Sequence, residues 1–63
     1  MKQNIEVSMT YYYRGSCCTY IRLEQGEDYD IALYTDYGEK FCVVSSGKEL
    51  LSALVSLQQG YYA

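Results

Sequence analysis

The stretch FCVVSSGKELLSALVSLQQG, residues 41–60, changes its hydrophobic period at the centre. Before the change, Phe41, Val43 and Val44 continue a strand that opens at Glu39–Lys40 and ends at Ser45. After it, Leu50, Leu51, Leu54, Val55 and Leu57 fall at helical spacing, with Ala53 beside them. Ser46-Gly47-Lys48-Glu49 fits the S-x-x-E capping box that precedes an apolar helical run, and Gly60 is a natural stop. The spacing predicts a helix over about 47–59.

Upstream, the period is two. Ile5, Val7, Met9, Tyr11 and Tyr13 alternate with Glu6, Ser8, Thr10 and Tyr12, which predicts a strand over about 4–14. Further strands are expected over about 18–24, 29–35 and 39–45. The turns between them fall at Arg14–Gly15–Ser16, Gln25–Asp28 and Asp36–Tyr37–Gly38. The expected architecture is α+β: a four-stranded antiparallel meander with one C-terminal helix on one face, forming one small domain over 1–63.

With three-residue loops, odd positions share one sheet face. That face gathers Ile5, Val7, Met9, Tyr11, Tyr13, Ile21, Leu23, Tyr29, Ile31, Leu33, Phe41 and Val43, and it is nearly all apolar. The even face is mixed and includes Tyr12, Cys18, Tyr20, Arg22, Asp30, Tyr34, Lys40, Cys42 and Val44, with Arg22 expected opposite Asp30. A two-residue first loop would turn strand one over relative to the rest. Four strands span about 15–20 Å, whereas a helix covers about 10 Å. The odd face is therefore incompletely covered unless the helix crosses it diagonally.

Composition narrows the function. Nine of 63 residues are tyrosine, and histidine, tryptophan and proline are absent. Tyrosine makes contact area with an apolar ring, a wet hydroxyl and only two torsions to freeze. The lack of histidine removes the usual general base and the usual metal ligand, so neither a catalytic residue nor a metal site nor a cofactor is expected. Cys17, Cys18 and Cys42 are odd in number, and no apolar leader precedes them, so cytoplasmic free thiols are expected. A net charge of −3 disfavours duplex nucleic acid and suits a basic protein partner. No stretch approaches the length of a membrane span.

Two candidate surfaces stand out. Tyr12, Tyr20 and Tyr34, flanked by Arg14 and Arg22, fit an interface hot spot; the plainer reading is the high strand propensity of tyrosine. Glu24, Glu27, Asp28, Asp30, Asp36 and Glu39 supply six of the eight acids within sixteen positions. They fit an acidic docking surface or, more plainly, soluble turns. The C-terminal Tyr61–Tyr62 pair suits either a staple on the helix or a contact with a partner.

The expected function is a non-enzymatic protein-binding module that acts by occlusion, as an inhibitor or adaptor. Its partner would be a protein, with a basic nucleic-acid-handling protein the natural kind, and a homodimer is expected because small cores are marginal. A tiny, acidic, tyrosine-rich chain is similar in profile to small phage-encoded antagonists of host defence, of the anti-CRISPR or anti-restriction type. That resemblance lies in size and composition and assigns no site residue. The alternatives are a single-strand nucleic-acid-binding sheet with exposed tyrosines, or a purely structural homodimer.

Overall fold

The computed structural model describes residues 3–63 and has the expected order and topology. Strands β1 (Gln3–Tyr13), β2 (Ser16–Gln25), β3 (Ile31–Tyr34) and β4 (Lys40–Val44) precede one helix, α1 (Gly47–Gln58). The sheet is antiparallel, in the order β1-β2-β3-β4.

The first loop is shorter than expected, and a bulge compensates. β1 and β2 are joined by Arg14–Gly15 alone, both at positive φ (50° and 84°). That tight turn matches the twist of the flanking strands, and glycine takes its φ without a Cβ clash. Near the turn, odd residues of β1 pair with even residues of β2, as in Tyr11 with Cys18. Between Ser8 and Tyr11 the register shifts by one, and beyond it odd pairs with odd: Val7 with Ile21, Ile5 with Leu23. The extra residue in β1 therefore restores the common apolar face that a two-residue loop would have turned over. Its consequence is that Cys18 and Ile21, three apart, are both fully buried. Cys18 thus belongs to the core and not to the even outer face.

A second shift lies between Leu33 and Tyr34, opposite β4. Phe41 is the extra residue. Leu33 pairs with Cys42 and Ile31 with Val44, which turns Cys42 and Val44 inward and leaves Val43 53% exposed. The inward placement of Val43 and the outward placement of Cys42 and Val44 are corrected accordingly, whereas Phe41 still packs on the core.

The β2–β3 loop has five residues, closed by Gly26 N–H donating to the Asp30 carbonyl at 2.8 Å. Tyr29 falls inside it, at φ 64° and 78% exposed, and is no part of the core. The longer loop also moves Asp30 out of the strand. Arg22 lies opposite Tyr34 on one side and Glu6 on the other, so the expected Arg22–Asp30 pairing does not form.

The helix begins where the period changes. Ser46 caps it, accepting from Glu49 N–H at 3.2 Å, and the Glu49 carboxylate reaches back to Ser45, accepting from its N–H at 2.9 Å and its hydroxyl at 2.6 Å. These bonds hold the Glu49 carboxyl below its ordinary range. At the other end Tyr61 N–H donates to the Ser56 carbonyl and Gly60 N–H to that of Leu57, with Gly60 at φ 82°, a Schellman ending. This turn sends Tyr62 back onto the sheet, where its carbonyl accepts from Arg14 N–H at 2.7 Å.

α1 starts beside the last residue of β4 and ends beside the β1–β2 turn, so it crosses the inner face diagonally and packs on both edge strands. Leu57 is buried, with Leu50, Ala53 and Leu54 half-buried beneath the helix. At the turn end, the rings of Tyr13, Phe41 and Tyr62 meet at centroid distances of 5.3–5.7 Å, and they close the core with Tyr11, Cys18, Ile21 and Leu33.

Candidate functional site

The outer face of the sheet carries no helix. Cross-strand pairing arranges it in rows. Glu6, Arg22, Tyr34 and Lys40 occupy one row, in that order from β1 to β4. The Arg22 guanidinium carbon lies 4.5 Å from the centroid of the Tyr34 ring. A half-buried cation over a half-buried ring is held by two neighbouring ladders, so its geometry is set before any partner arrives. In the next row Tyr20 pairs with Ser8, and its hydroxyl donates to the Asp36 carbonyl at 3.2 Å. Tyr12 lies further along, opposite Cys17, and is half exposed. Tyr34, Tyr20 and Tyr12 therefore run diagonally across β3, β2 and β1.

Arg14 stands apart from this group. It occupies the tight turn, with its guanidinium 5.4 Å from the Tyr13 ring centroid and 3.8 Å from the Glu39 carboxylate. Tyr13 is an inner-face residue, so Arg14 serves the rim of the core. The ion pair is largely exposed, which makes it weak.

The acids do not form one surface. Glu27, Asp28 and Asp30 lie in the exposed β2–β3 loop, whereas Asp36 and Glu39 lie at the opposite end of the sheet, in the β3–β4 connection. Glu24 is on β2, paired with Asn4 and Ala32. Asp36 has a local structural role. β2 runs past the end of β3, and the Asp36 carboxylate accepts from Thr19 N–H at 2.9 Å, where strand pairing would otherwise continue. Thr35, fully buried, accepts from Glu39 N–H at 2.9 Å through its hydroxyl and shapes the same loop.

The thiols lie in different environments. Cys17 is exposed on the outer side, Cys18 is buried, and Cys42 is half-buried. Burial raises the Cys18 and Cys42 thiols above their ordinary range, which disfavours the nucleophilic thiolate. Among the described residues, no group of three or more His, Cys, Asp or Glu is placed to hold a metal ion, and no helix is long and apolar enough to cross a membrane.

Glu6 and Lys40 were expected on the even face but not among the binding residues of the outer row. Both are visible as even positions, yet only the pairing sets them beside Arg22 and Tyr34. Comparison with protein-family models, with curated proteins and with solved structures finds no match.

Proposed function

We propose that the chain is a non-enzymatic protein-binding module that acts by occlusion, as an inhibitor or adaptor, through the outer sheet face. The observation that carries this reading is the Arg22–Tyr34 stack on an uncovered face, continued by Tyr20 and Tyr12. Tyrosine and arginine are the side chains that most often anchor interfaces, and a rigid sheet lowers the ordering cost of binding. Glu6 and Lys40 at the two ends of the row add charges of opposite sign that set orientation more than affinity. The partner is a protein, of the basic nucleic-acid-handling kind that a chain of net charge −3 would attract. Antagonism of host defence, as by small phage-encoded proteins, is the role that fits this profile, in the cytoplasm. Self-association of the module is part of the reading, since the core of a 63-residue chain is marginal.

The test compares wild type with Tyr34→Ala and Arg22→Ala in affinity capture from host lysate and in titration against the captured protein. Either substitution is expected to weaken binding by about 1–4 kcal/mol while the fold survives. Equal binding by both variants and wild type would remove the outer face from the function. Tight, salt-sensitive binding of single-stranded oligonucleotides, lost in Tyr34→Ala, would replace the protein partner with nucleic acid.

A further inference from the structure

The diagonal course of α1 closes one corner of the inner face and leaves another open. At the end away from the β1–β2 turn the helix lies over β4, and the inner face of β1 there has no cover. Ile5 is 55% exposed. Beside it is a groove of about 160 Å³, lined by Gln3, Ile5, Leu23, Gln25, Ile31 and Leu50. One flank of α1, with Ser52 and Ser56, faces β4. Helical spacing puts Leu51 on the opposite flank, toward β1, with Val55 one turn on. Leu51 is 63% exposed. Aliphatic side chains thus stand out next to a groove lined by four aliphatic side chains and two glutamines.

β1 is also an edge strand of 11 residues. Natural edges are guarded by lysine, proline, inward charge or a bulge, and the β1 bulge lies beyond Ser8, outside the segment Gln3–Ser8. Gln3–Tyr13 contains no lysine, arginine or proline, and its one charge is Glu6. β4, the other edge, is five residues long and starts at Lys40. The unguarded edge and the open corner are on the same side of the molecule.

We propose that a second copy of this chain occupies this side: the segment Gln3–Ser8 of β1 pairs antiparallel with itself across a two-fold axis, and Ile5 and Leu51 of each copy cover the open corner of the other. This rests on the self-association included above and names its surface. The occupant is a second copy because the surface is self-complementary, each copy bringing both the groove and the aliphatic side chains that fit it. The segment is nearly neutral, so it offers a strongly charged partner nothing to read. A two-fold axis at Ile5 sets Gln3 opposite Val7 and Glu6 opposite Asn4, and avoids facing like charges. A stable dimer needs roughly 800 Å² from each partner. A strand edge this short is narrow, and the exposed α1 flank of Leu51 and Val55 adds apolar area beside it. The pairing yields one continuous eight-stranded sheet, with both outer faces free.

Sedimentation in reductant, from micromolar to sub-millimolar protein, tests this. Wild type is expected to shift from monomer to dimer. Ile5→Lys and Leu51→Lys should each weaken the dimer about tenfold or more with unchanged circular dichroism, since both positions are exposed in the monomer. Val43→Lys, exposed on the outer face, should dimerise as wild type does. Hydrogen exchange adds a readout that needs no variant: amides of residues 3–8 should slow with rising concentration, while those of β4 should not. A wild type that stays monomeric defeats self-association itself. A dimer indifferent to Ile5→Lys and Leu51→Lys, or one that slows exchange in β4 instead, leaves self-association standing and overturns this surface.

Discussion

The two ends of the inner sheet face have similar apolar composition and opposite fates. At the turn end Tyr11, Tyr13, Cys18 and Leu57 are buried, and Tyr62 folds over Phe41. At the far end Leu23, Ile31 and Leu50 are half-covered and Ile5 is exposed. The difference comes from where α1 and its tail lie. The Schellman ending brings Tyr62 to the β1–β2 turn, and nothing within the described residues does the same for Ile5. An apolar strand face is therefore necessary for a core but does not locate it; the element that crosses the face does.

The largest contrast is expected from truncation. Leu57→Ala at the closed end should cost about 2–5 kcal/mol, because the helix cannot collapse fully into the space left. Ile5→Ala at the open end should cost under about 0.5 kcal/mol in dilute monomer, as for surface positions generally. Equal losses in chemical denaturation would mean that the two ends are covered alike.

Alkaline pH should act on the closed end selectively. Burial raises the phenols of Tyr11, Tyr13 and Tyr62 and the thiols of Cys18 and Cys42. In the unfolded chain thiols ionise near about 8.5 and phenols near about 10. The folded state holds these protons more tightly, so the contribution is complete below the unfolded values and is lost as pH rises past them. The melting temperature should be flat near neutral pH and fall by several degrees through the alkaline range. In ultraviolet absorbance the phenols of Tyr11, Tyr13 and Tyr62 should ionise above the ordinary phenol range. Ionisation of these three phenols within the ordinary range would contradict their burial.

Ser46→Ala probes the helix start, which lies at the open end. Loss of the Ser46 acceptor should cost about 0.5–2 kcal/mol, read as a lower denaturation midpoint with unchanged slope. No change would mean that the Glu49–Ser45 bonds hold the start without the cap. The smallest effect belongs to Tyr29→Gly. At φ 64° glycine relieves strain but adds entropy to the unfolded chain. These terms oppose each other, so stability should stay within about 0.5 kcal/mol of wild type. A large loss would place Tyr29 back in the core.

Much of the fold was legible because it depends on local periodicity. The strand order, the helix, its Ser46 cap and the inward set Val7, Tyr11, Tyr13, Ile21, Leu23 and Leu33 follow from spacing and punctuation. The error at Cys18 comes from the two-residue first loop, and those at Cys42, Val43 and Val44 from the bulge at Phe41. A bulge adds one residue to a strand and inverts parity beyond it, and no residue type at Met9–Thr10 or Phe41 announces it. Tyr29 failed for a related reason: Gly26–Asp30 could be a short loop plus a strand start or one longer loop, and only the Gly26–Asp30 bond selects. Of the candidate outer face, Tyr12, Tyr20, Tyr34 and Arg22 were legible as even positions. The departure of Arg14 and the arrival of Glu6 and Lys40 depended on which strands lie side by side.

The sequence by itself determined the elements, their order, the helix cap and the aromatic and charged inventory, because these are set by interactions within a few residues. The tertiary structure decided register, the split of the acids between opposite ends and the diagonal path of the helix. Those depend on contacts between residues far apart in the chain, where a one-residue shift costs little locally and exchanges one face for the other.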